Sequence, residues 1–348
     1  MSFFAVTKEI IEDTFPILNA DVIEMATLVG SSFEFVIKKN QFKKGDEVLY
    51  FPLDSLLPEW LLEKLELSGK LNGKNKNRIK TVKLRGQISQ GIVTDLSLLD
   101  NWNEQNQTIT EFLEVIKYEV PAILIKNANL VSLPIGLSVY DIEGVDKYVE
   151  IGEILKLQLV EITEKLEGSN FSVTYSNLDN KIYVNQRKHS IQPIEGDSHA
   201  FWEIAHNQKI IDFVNRLHET FTDSNITVYG EFIGPQVQSN IYKLQQFQVK
   251  LFDIKINDKW LEPDMRQILI ELYFGNLDNH VPILATNVCL KEWLNNKSFS
   301  YASHGLSQLN KNIIREGIVI KPMIESRHEK IGRLIIKQRD PIYLVKEK

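Results

Sequence analysis

Lys165 stands where an apolar strand gives way to a polar turn: the stretch ILKLQLVEIT runs into Glu164-Lys165-Leu166-Glu167-Gly168-Ser169-Asn170. A lysine attacks as a nucleophile only when neutral. At its ordinary pKa it sits roughly 3.4 units on the charged side of pH 7, so freeing the amine costs on the order of 4.6 kcal/mol unless the surroundings lower it. Nearby cations are the natural means. A Lys-x-Glu-Gly turn arises by chance in many chains, but this one has company downstream. Tyr229-Gly230-Glu231-Phe232, Lys250-Leu251-Phe252-Asp253, Arg315-Glu316-Gly317-Ile318-Val319-Ile320-Lys321 and Ile336-Lys337-Gln338-Arg339 follow in that order.

The ordered set resembles the five signature motifs of the covalent nucleotidyltransferase superfamily, the ATP-dependent DNA and RNA ligases and mRNA capping enzymes. Within it, the chain is most similar to the nick-sealing RNA ligase family that carries an OB domain before its catalytic domain. That narrower likeness lies in LRGQISQGIV and IKYEVP in the first part, and in GEFIGPQVQSNIY after the third motif. The resemblance implies that Lys165 attacks the α-phosphate of ATP, expels pyrophosphate and carries AMP as a phosphoramidate. AMP then passes to a 5′-phosphate end, and a 3′-hydroxyl displaces it.

By the same resemblance, Glu231, Glu316 and Glu167 hold a divalent metal, Mg2+ or Mn2+, mainly through water, although Glu167 stands where many relatives have Asp. Lys337 is expected on the α-phosphate, where it would offset the charge gathering in the transition state. The apolar neighbours Leu334, Ile335 and Ile336 make its strand a buried one, and a lysine leaving such a strand wants an anionic partner. Arg339 follows two residues on, hence on the same strand face, at a position often filled by Lys in relatives. Glu164, beside the nucleophile, is assigned to the ATP site with it. Phe252 either stacks on adenine, as its counterpart does, or is core; the alternation of FQVKLFDI sets it opposite Phe247, Val249 and Leu251. Arg187 matches the arginine of a Ser-Arg-Asn element used on nucleotide or end phosphates, with Gln186 and Lys188 departing from that pattern. No further basic motif follows the Lys337 segment, so pyrophosphate orientation is expected from the N-terminal module or a second metal.

The elements that must position these groups read as follows. SSFEFVIKKN, EVLYFPL and IKTVKLRGQISQGIVTDL are short strands with turn signals, interrupted by one helix, PEWLLEKLEL, that opens on Pro58. They suggest a small barrel of OB type. Low periodicity with Pro121 and Pro134 marks a bridge, after which strands return with helical AFWEIAHNQKIIDFVNRLHET and PDMRQILIELYF between them. The fold class is therefore α+β: an OB-type β-barrel module at residues 1–120, a bridge at 121–155, and at 156–348 an adenylyltransferase domain, ATP-grasp-like in its ligase chemistry, of antiparallel sheets with flanking helices around a cleft.

Composition narrows the partners. The 348 residues include one cysteine, Cys289, in an apolar run, so no intrachain disulfide or cysteine metal cage forms and the thiol is expected as a buried small hydrophobe. The seven histidines lack zinc-ligand spacing, which leaves hard cations on oxygen donors. No run suits a membrane span and the N-terminus lacks a signal peptide's pattern, so an intracellular protein, cytoplasmic or nuclear, is expected. The net charge of −6 speaks weakly against nucleic acid, yet Lys70, Lys74, Lys76, Arg78, Lys80, Lys83 and Arg85 form a basic strip without an acidic residue. Lys80, Lys83 and Arg85 are the candidates for the nucleic-acid backbone; a solvated loop is the alternative. The expected partner is RNA with 3′-hydroxyl and 5′-phosphate ends in a nicked duplex, bound by a monomer. Other readings are a ligase preferring DNA or unpaired RNA, an mRNA guanylyltransferase, and a non-catalytic OB-type binding protein.

Overall fold

The computed structural model describes residues 4–119, 129–192 and 199–346, which group into two compact units. Residues 4–119, 144–152 and 341–346 form the first; residues 129–143 and 153–340 form the second. The segment expected as a bridge is thus divided between the two, and Pro121 lies outside the described residues.

In the first unit, β1 (Thr7–Pro16), β2 (Ile23–Leu28), β3 (Glu34–Lys38) and β4 (Glu47–Phe51) pair antiparallel, and a helix, α1 (Glu59–Lys64), follows Pro58 as its composition predicts. Three short strands follow: β5 (Val82–Leu84), β6 (Gln87–Ser89) and β7 (Ile92–Thr94). The sheet order is β3-β2-β1-β4-β7. Its open edge is nearly closed where the Gln90 N–H donates to Glu34 O at 2.8 Å and the Val36 N–H donates to Ser89 Oγ at 3.1 Å. This is the OB-type barrel expected. β4 is buried on both faces: Val48 and Tyr50 join the barrel interior with Ile11, Leu28 and Phe35, while Leu49 and Phe51 pack with Leu57 and Leu61 around α1. Its continuous apolar run follows from that double burial. β1 and β2 carry mixed charged and apolar residues and were not legible as strands.

The second unit is built on two large antiparallel sheets, with a two-stranded ribbon of Arg327–His328 and Gly332–Arg333 beside them. The larger has seven strands, in chain order β8 (Asn129–Ser132), then, after β9 (Leu159–Lys165) of the smaller sheet, β10 (Ser169–Ser176), β11 (Lys181–Asn185), β12 (His189–Gln192), β13 (Ile226–Ile233), β14 (Gln248–Ile256) and β15 (Lys259–Trp260). Their order in space is β8-β12-β11-β10-β13-β14-β15. Helices α2 (Ala200–Asn207), α3 (Ile210–Thr220) and α4 (Pro263–Phe274) bury one face of it, with Phe201, Phe213, Val214 and Ile270 packed on Phe171, Val228, Leu251 and Ile254. In the smaller sheet, β9 lies between β16 (Ile283–Cys289) and β17 (Gly317–Pro322), and β17 pairs on its other side with β18 (Ile336–Arg339).

Three local readings need correction. The single helix expected over AFWEIAHNQKIIDFVNRLHET breaks at Lys209, whose φ of 56° is left-handed. Gln208 supplies the reason: its side chain accepts from the Val249 N–H at 2.6 Å and donates to Asn279 Oδ1 at 2.9 Å, which stitches the break to β14. The strand expected from Ile154 starts only at Leu159, because residues up to Lys156 end a helix (Val149–Lys156) that buries Ile151 and Leu155, one turn apart. Cys289 is half-buried rather than buried, at the end of β16. Among the described residues no helix is long and apolar enough to cross a membrane.

Candidate active site

Strand register brings the chemical groups together. Lys165, last residue of β9, pairs with Gly317 of β17, so the preceding Glu316 reaches it: Lys165 Nζ donates to Glu316 Oε2 at 2.8 Å. Across β17, Val319 pairs with Lys337 and Gly317 with Arg339. Arg339 Nε lies 3.1 Å from the other Glu316 oxygen, so one carboxylate faces two cations. In the larger sheet, Asn170 pairs with Glu231. Gly168 permits this approach, since a Cβ there would stand 2.5 Å from Phe232 O and 2.7 Å from Glu231 Cγ.

Between the sheets is a pocket of about 140 Å³ lined by Lys165, Glu231, Phe252, Lys321 and Lys337, among others, and by Tyr140 and Asp141. Lys337 is half-buried, and desolvation of its amine pushes the pKa down to about 8 against the pull of Asp141, so it stays largely cationic at pH 7. Burial lifts the Glu231 carboxyl to about 8, against the opposing influence of Lys165. Glu164, on the opposite strand face from Lys165, turns its carboxylate to the Gln308 N–H, which it accepts at 2.7 Å; burial raises its pKa. Arg187 donates to Asp141 Oδ2 at 2.8 Å.

Phe252 lines the pocket at a β-bulge. Tyr229 pairs with Asp253 and Gly230 with Leu251, which leaves Phe252 as the extra residue. Strict alternation therefore fails in β14: Val249, Leu251 and then Ile254 occupy the core, and Phe252 and Asp253 are set away from it. Alternation alone turns Phe252 away from Val249 and Leu251, toward a smaller cluster with Leu166 and Val281, and the bulge shifts the residues that follow it.

Beneath the pocket, Asp253 is held by Arg333 Nη1 at 2.6 Å, Lys321 Nζ at 3.1 Å and the Tyr140 hydroxyl at 2.6 Å, and Arg266 pairs with Glu161. Despite burial, these cations hold Asp253 well below the usual carboxylate range. Arg266 Nε donates to His280 Nε2 at 3.1 Å, so the ring proton sits on Nδ1, which donates to Val281 O at 2.6 Å. Burial, reinforced by Arg266, depresses His280 to about 3, from an ordinary 6.5.

Two consequences follow for stability. Asp253→Asn leaves Lys321 and Arg333 short of their carboxylate and is expected to cost about 3–5 kcal/mol, lowering the melting midpoint by roughly 10 °C in calorimetry. The pH dependence is signed. Asp253 titrates lower in the fold than in the unfolded chain, so its contribution is complete above the ordinary carboxylate range and is lost as pH falls through it. His280 binds its proton in the unfolded chain at 6.5 but in the fold only near 3, so stability declines as pH drops below 6.5. Glu231 acts oppositely, since the fold keeps its proton up to about 8 whereas the unfolded chain loses it above 4.5, so the signed test compares variants: in melts from pH 7 to 4, His280→Gln should lose less stability than wild type as pH falls below 6.5.

The carboxylates suit a hard cation held through water. Glu231 is half-buried without enough positive charge to hold it ionised at neutral pH, and Glu316 approaches the same region. Glu167 is engaged elsewhere, accepting the Ser239 N–H at 2.8 Å, and among the described residues no three acidic, His or Cys side chains converge into a direct ligand set.

Of the basic strip, Lys83 and Arg85 are exposed on the β5–β6 hairpin and Lys80 is half-buried. Arg85 and Gly86, at φ 47° and 88°, make the two-residue turn that mirrors an ordinary one and matches strand twist. Arg78 does not belong with them: it pairs with Asp54 at 2.5 Å and lies 3.5 Å over the Tyr118 ring. Tyr140 and Asp141 went unread in the sequence because they sit in an irregular stretch; the only hint is an aromatic-acid pair before the nucleophile strand.

An RNA ligase family model matches residues 158–339, and an OB-fold domain model matches residues 5–96. The chain belongs to the RNA ligase family. A solved structure of Naegleria gruberi RNA ligase with PPi is 30 % identical at a TM-score of 0.81, covering 99 % of this chain and 98 % of that one. A variant of the same ligase with ATP and Mn is 29 % identical at a TM-score of 0.82, covering 99 % of each chain. A further variant, with AMP and Mn, is 29 % identical at 0.80 and covers 98 % of each. No curated protein matches the sequence. The likeness spans barrel and catalytic sheets alike, so the family's domain order, barrel first, holds for this chain.

Proposed function

We infer that this RNA ligase seals a 3′-hydroxyl end to a 5′-phosphate end in nicked duplex RNA, using ATP and a covalent AMP on Lys165. The observation that carries the reading is the Lys165 amine, 2.8 Å from Glu316, in a pocket that Lys337 and Phe252 also line. ATP and Mn occupy the solved Naegleria gruberi relative, which supports the same nucleotide here.

Lys165 loses a proton, for which Glu316 Oε2 is the acceptor within reach, and its nitrogen attacks the α-phosphorus. A P–N bond forms, the α–β P–O bond breaks and pyrophosphate departs. Lys337 faces the negative charge that builds on the α-phosphate, in a water-poor site where such a cation acts strongly. Glu231 and Glu316 would hold Mg2+ or Mn2+ through water, and the ion when bound supplies positive charge that favours the free amine and shields phosphate. Arg187 and Arg339 are the further phosphate contacts, and Glu164 supports the turn behind the nucleophile. A 5′-phosphate oxygen then takes AMP, which breaks the P–N bond and restores the lysine. The 3′-hydroxyl finally attacks the activated phosphate, forms the phosphodiester and releases AMP.

Lys83 and Arg85, with Lys80, are assigned to the RNA backbone. The double variant Lys83→Ala, Arg85→Ala should weaken binding to nicked duplex and reduce the slope of log affinity against log salt by about 1–2, measured by fluorescence anisotropy. Adenylylation without RNA should be unaltered. The function itself is tested by sealing nicked duplexes with RNA or DNA on the 3′-hydroxyl side, enzyme and ATP being held constant. Sealing that depends on RNA at that side supports the reading. Equal sealing of all-DNA nicks shifts it to a general polynucleotide ligase, and no sealing of any nick overturns it.

A further inference from the structure

Tyr140 belongs to none of the ordered motifs, yet it touches both residues at the β14 bulge. Its hydroxyl donates to Asp253 Oδ2 at 2.6 Å, and its ring centroid lies 5.0 Å from that of Phe252 at 53°. The same ring stands 5.1 Å from Tyr229 and meets Trp260 edge-on at 5.5 Å, so it is packed from three sides. Phe252, as the extra residue of a bulge, falls between ladder pairs, and the sheet alone leaves its direction loosely set. Lys321 fixes its backbone by donating to Phe252 O at 2.6 Å. Tyr140 supplies the ring contact and, through Asp253, anchors the next residue as well.

The pocket is mixed in character. Lys165, Lys337 and Glu231 give its lining a polar part, and Tyr140, Phe252, Val281 and Val319 give it apolar surface suited to a flat base. We propose that Tyr140 is a positioning residue that holds the Phe252 ring for stacking on the nucleobase, and thereby sets ATP affinity and base selection. This rests on the adenylylation reading above. Base–aromatic stacking lost or misaligned reduces affinity by roughly ten-fold per base, while Lys165, Lys337 and Glu316 are left where they are.

The test uses full-length protein with Tyr140→Leu and Tyr140→Phe, single-turnover adenylylation across ATP and GTP concentrations, and equilibrium ATP binding in a Lys165→Ala background. Tyr140→Leu should raise KM and the binding constant for ATP roughly ten-fold, narrow the preference for ATP over GTP, and change kcat much less than KM. Tyr140→Phe keeps the ring and loses only the hydroxyl, so its KM should fall between wild type and leucine. Unaltered KM in both variants, or a loss confined to kcat, overturns the assignment. Should leucine prevent folding, the phenylalanine variant decides alone, and wild-type KM and base preference there count against it. A wild-type protein that forms no AMP adduct removes the adenylylation reading itself, a result distinct from wild-type labelling with indifferent Tyr140 variants.

Discussion

Lys165→Ala is expected to abolish labelling of the protein by ATP, a loss of at least about a thousandfold, because no other group completes the covalent step. Lys165→Arg should fail equally, since a guanidinium keeps its proton at any working pH. Neither change should unfold the protein. The Lys165 side chain is 24 % exposed, and its one charged partner, Glu316, retains Arg339 at 3.1 Å. Equal melting midpoints with lost labelling would separate chemistry from stability. Pre-adenylated RNA gives the complementary control: both variants should still join it to a 3′-hydroxyl far better than they complete the full reaction, because that last step bypasses the lysine adduct.

Lys337→Met should show activity and stability moving apart. Removing a half-buried cation aimed at developing phosphate charge is expected to cost about 100- to 1000-fold in the rate of adenylylation, read by single-turnover labelling. Stability should hold or rise. Lys337 has its pKa lowered to about 8 by burial, so at neutral pH the fold carries a charged amine in a place that disfavours it. Methionine fills similar volume without that penalty. A midpoint that drops by several degrees would mean Lys337 serves chiefly as a structural partner of Asp141.

How far the sequence led depends on whether a residue's role is local. The order of the five motifs places Lys165, Glu231, Glu316 and Lys337 in one site because each sits in, or in Glu316's case just before, a strand whose apolar flanks are visible, and antiparallel register does the rest. Alternation already set Phe252 opposite Leu251, but the bulge that turns Asp253 away from the core as well is a two-strand property that one strand cannot show. Arg78 looked like its basic neighbours, but its pairing with Asp54 and Tyr118 is long-range. The same applies to Glu167, whose carboxylate meets a backbone amide far along the chain, at Ser239. Tyr140 and Asp141 were hidden for the opposite reason: their stretch has no period, so nothing in it announced a pocket wall. β1 and β2 escaped because a barrel strand with one solvent face and several charges offers little contrast.

The central claim is that AMP is carried by Lys165, and two other lysines make that claim discriminating. Lys321 and Lys337 both line the pocket, and burial brings both down to about 8, closer to a free amine than an ordinary lysine. Incubation with ATP and a divalent cation, followed by protease digestion and mass spectrometry, locates the adduct directly. The account predicts the mass increment of AMP on the peptide carrying Lys165 and on no other, removed when pyrophosphate is added. An adduct on Lys321 or Lys337, or none in protein that still seals nicked RNA, would contradict it.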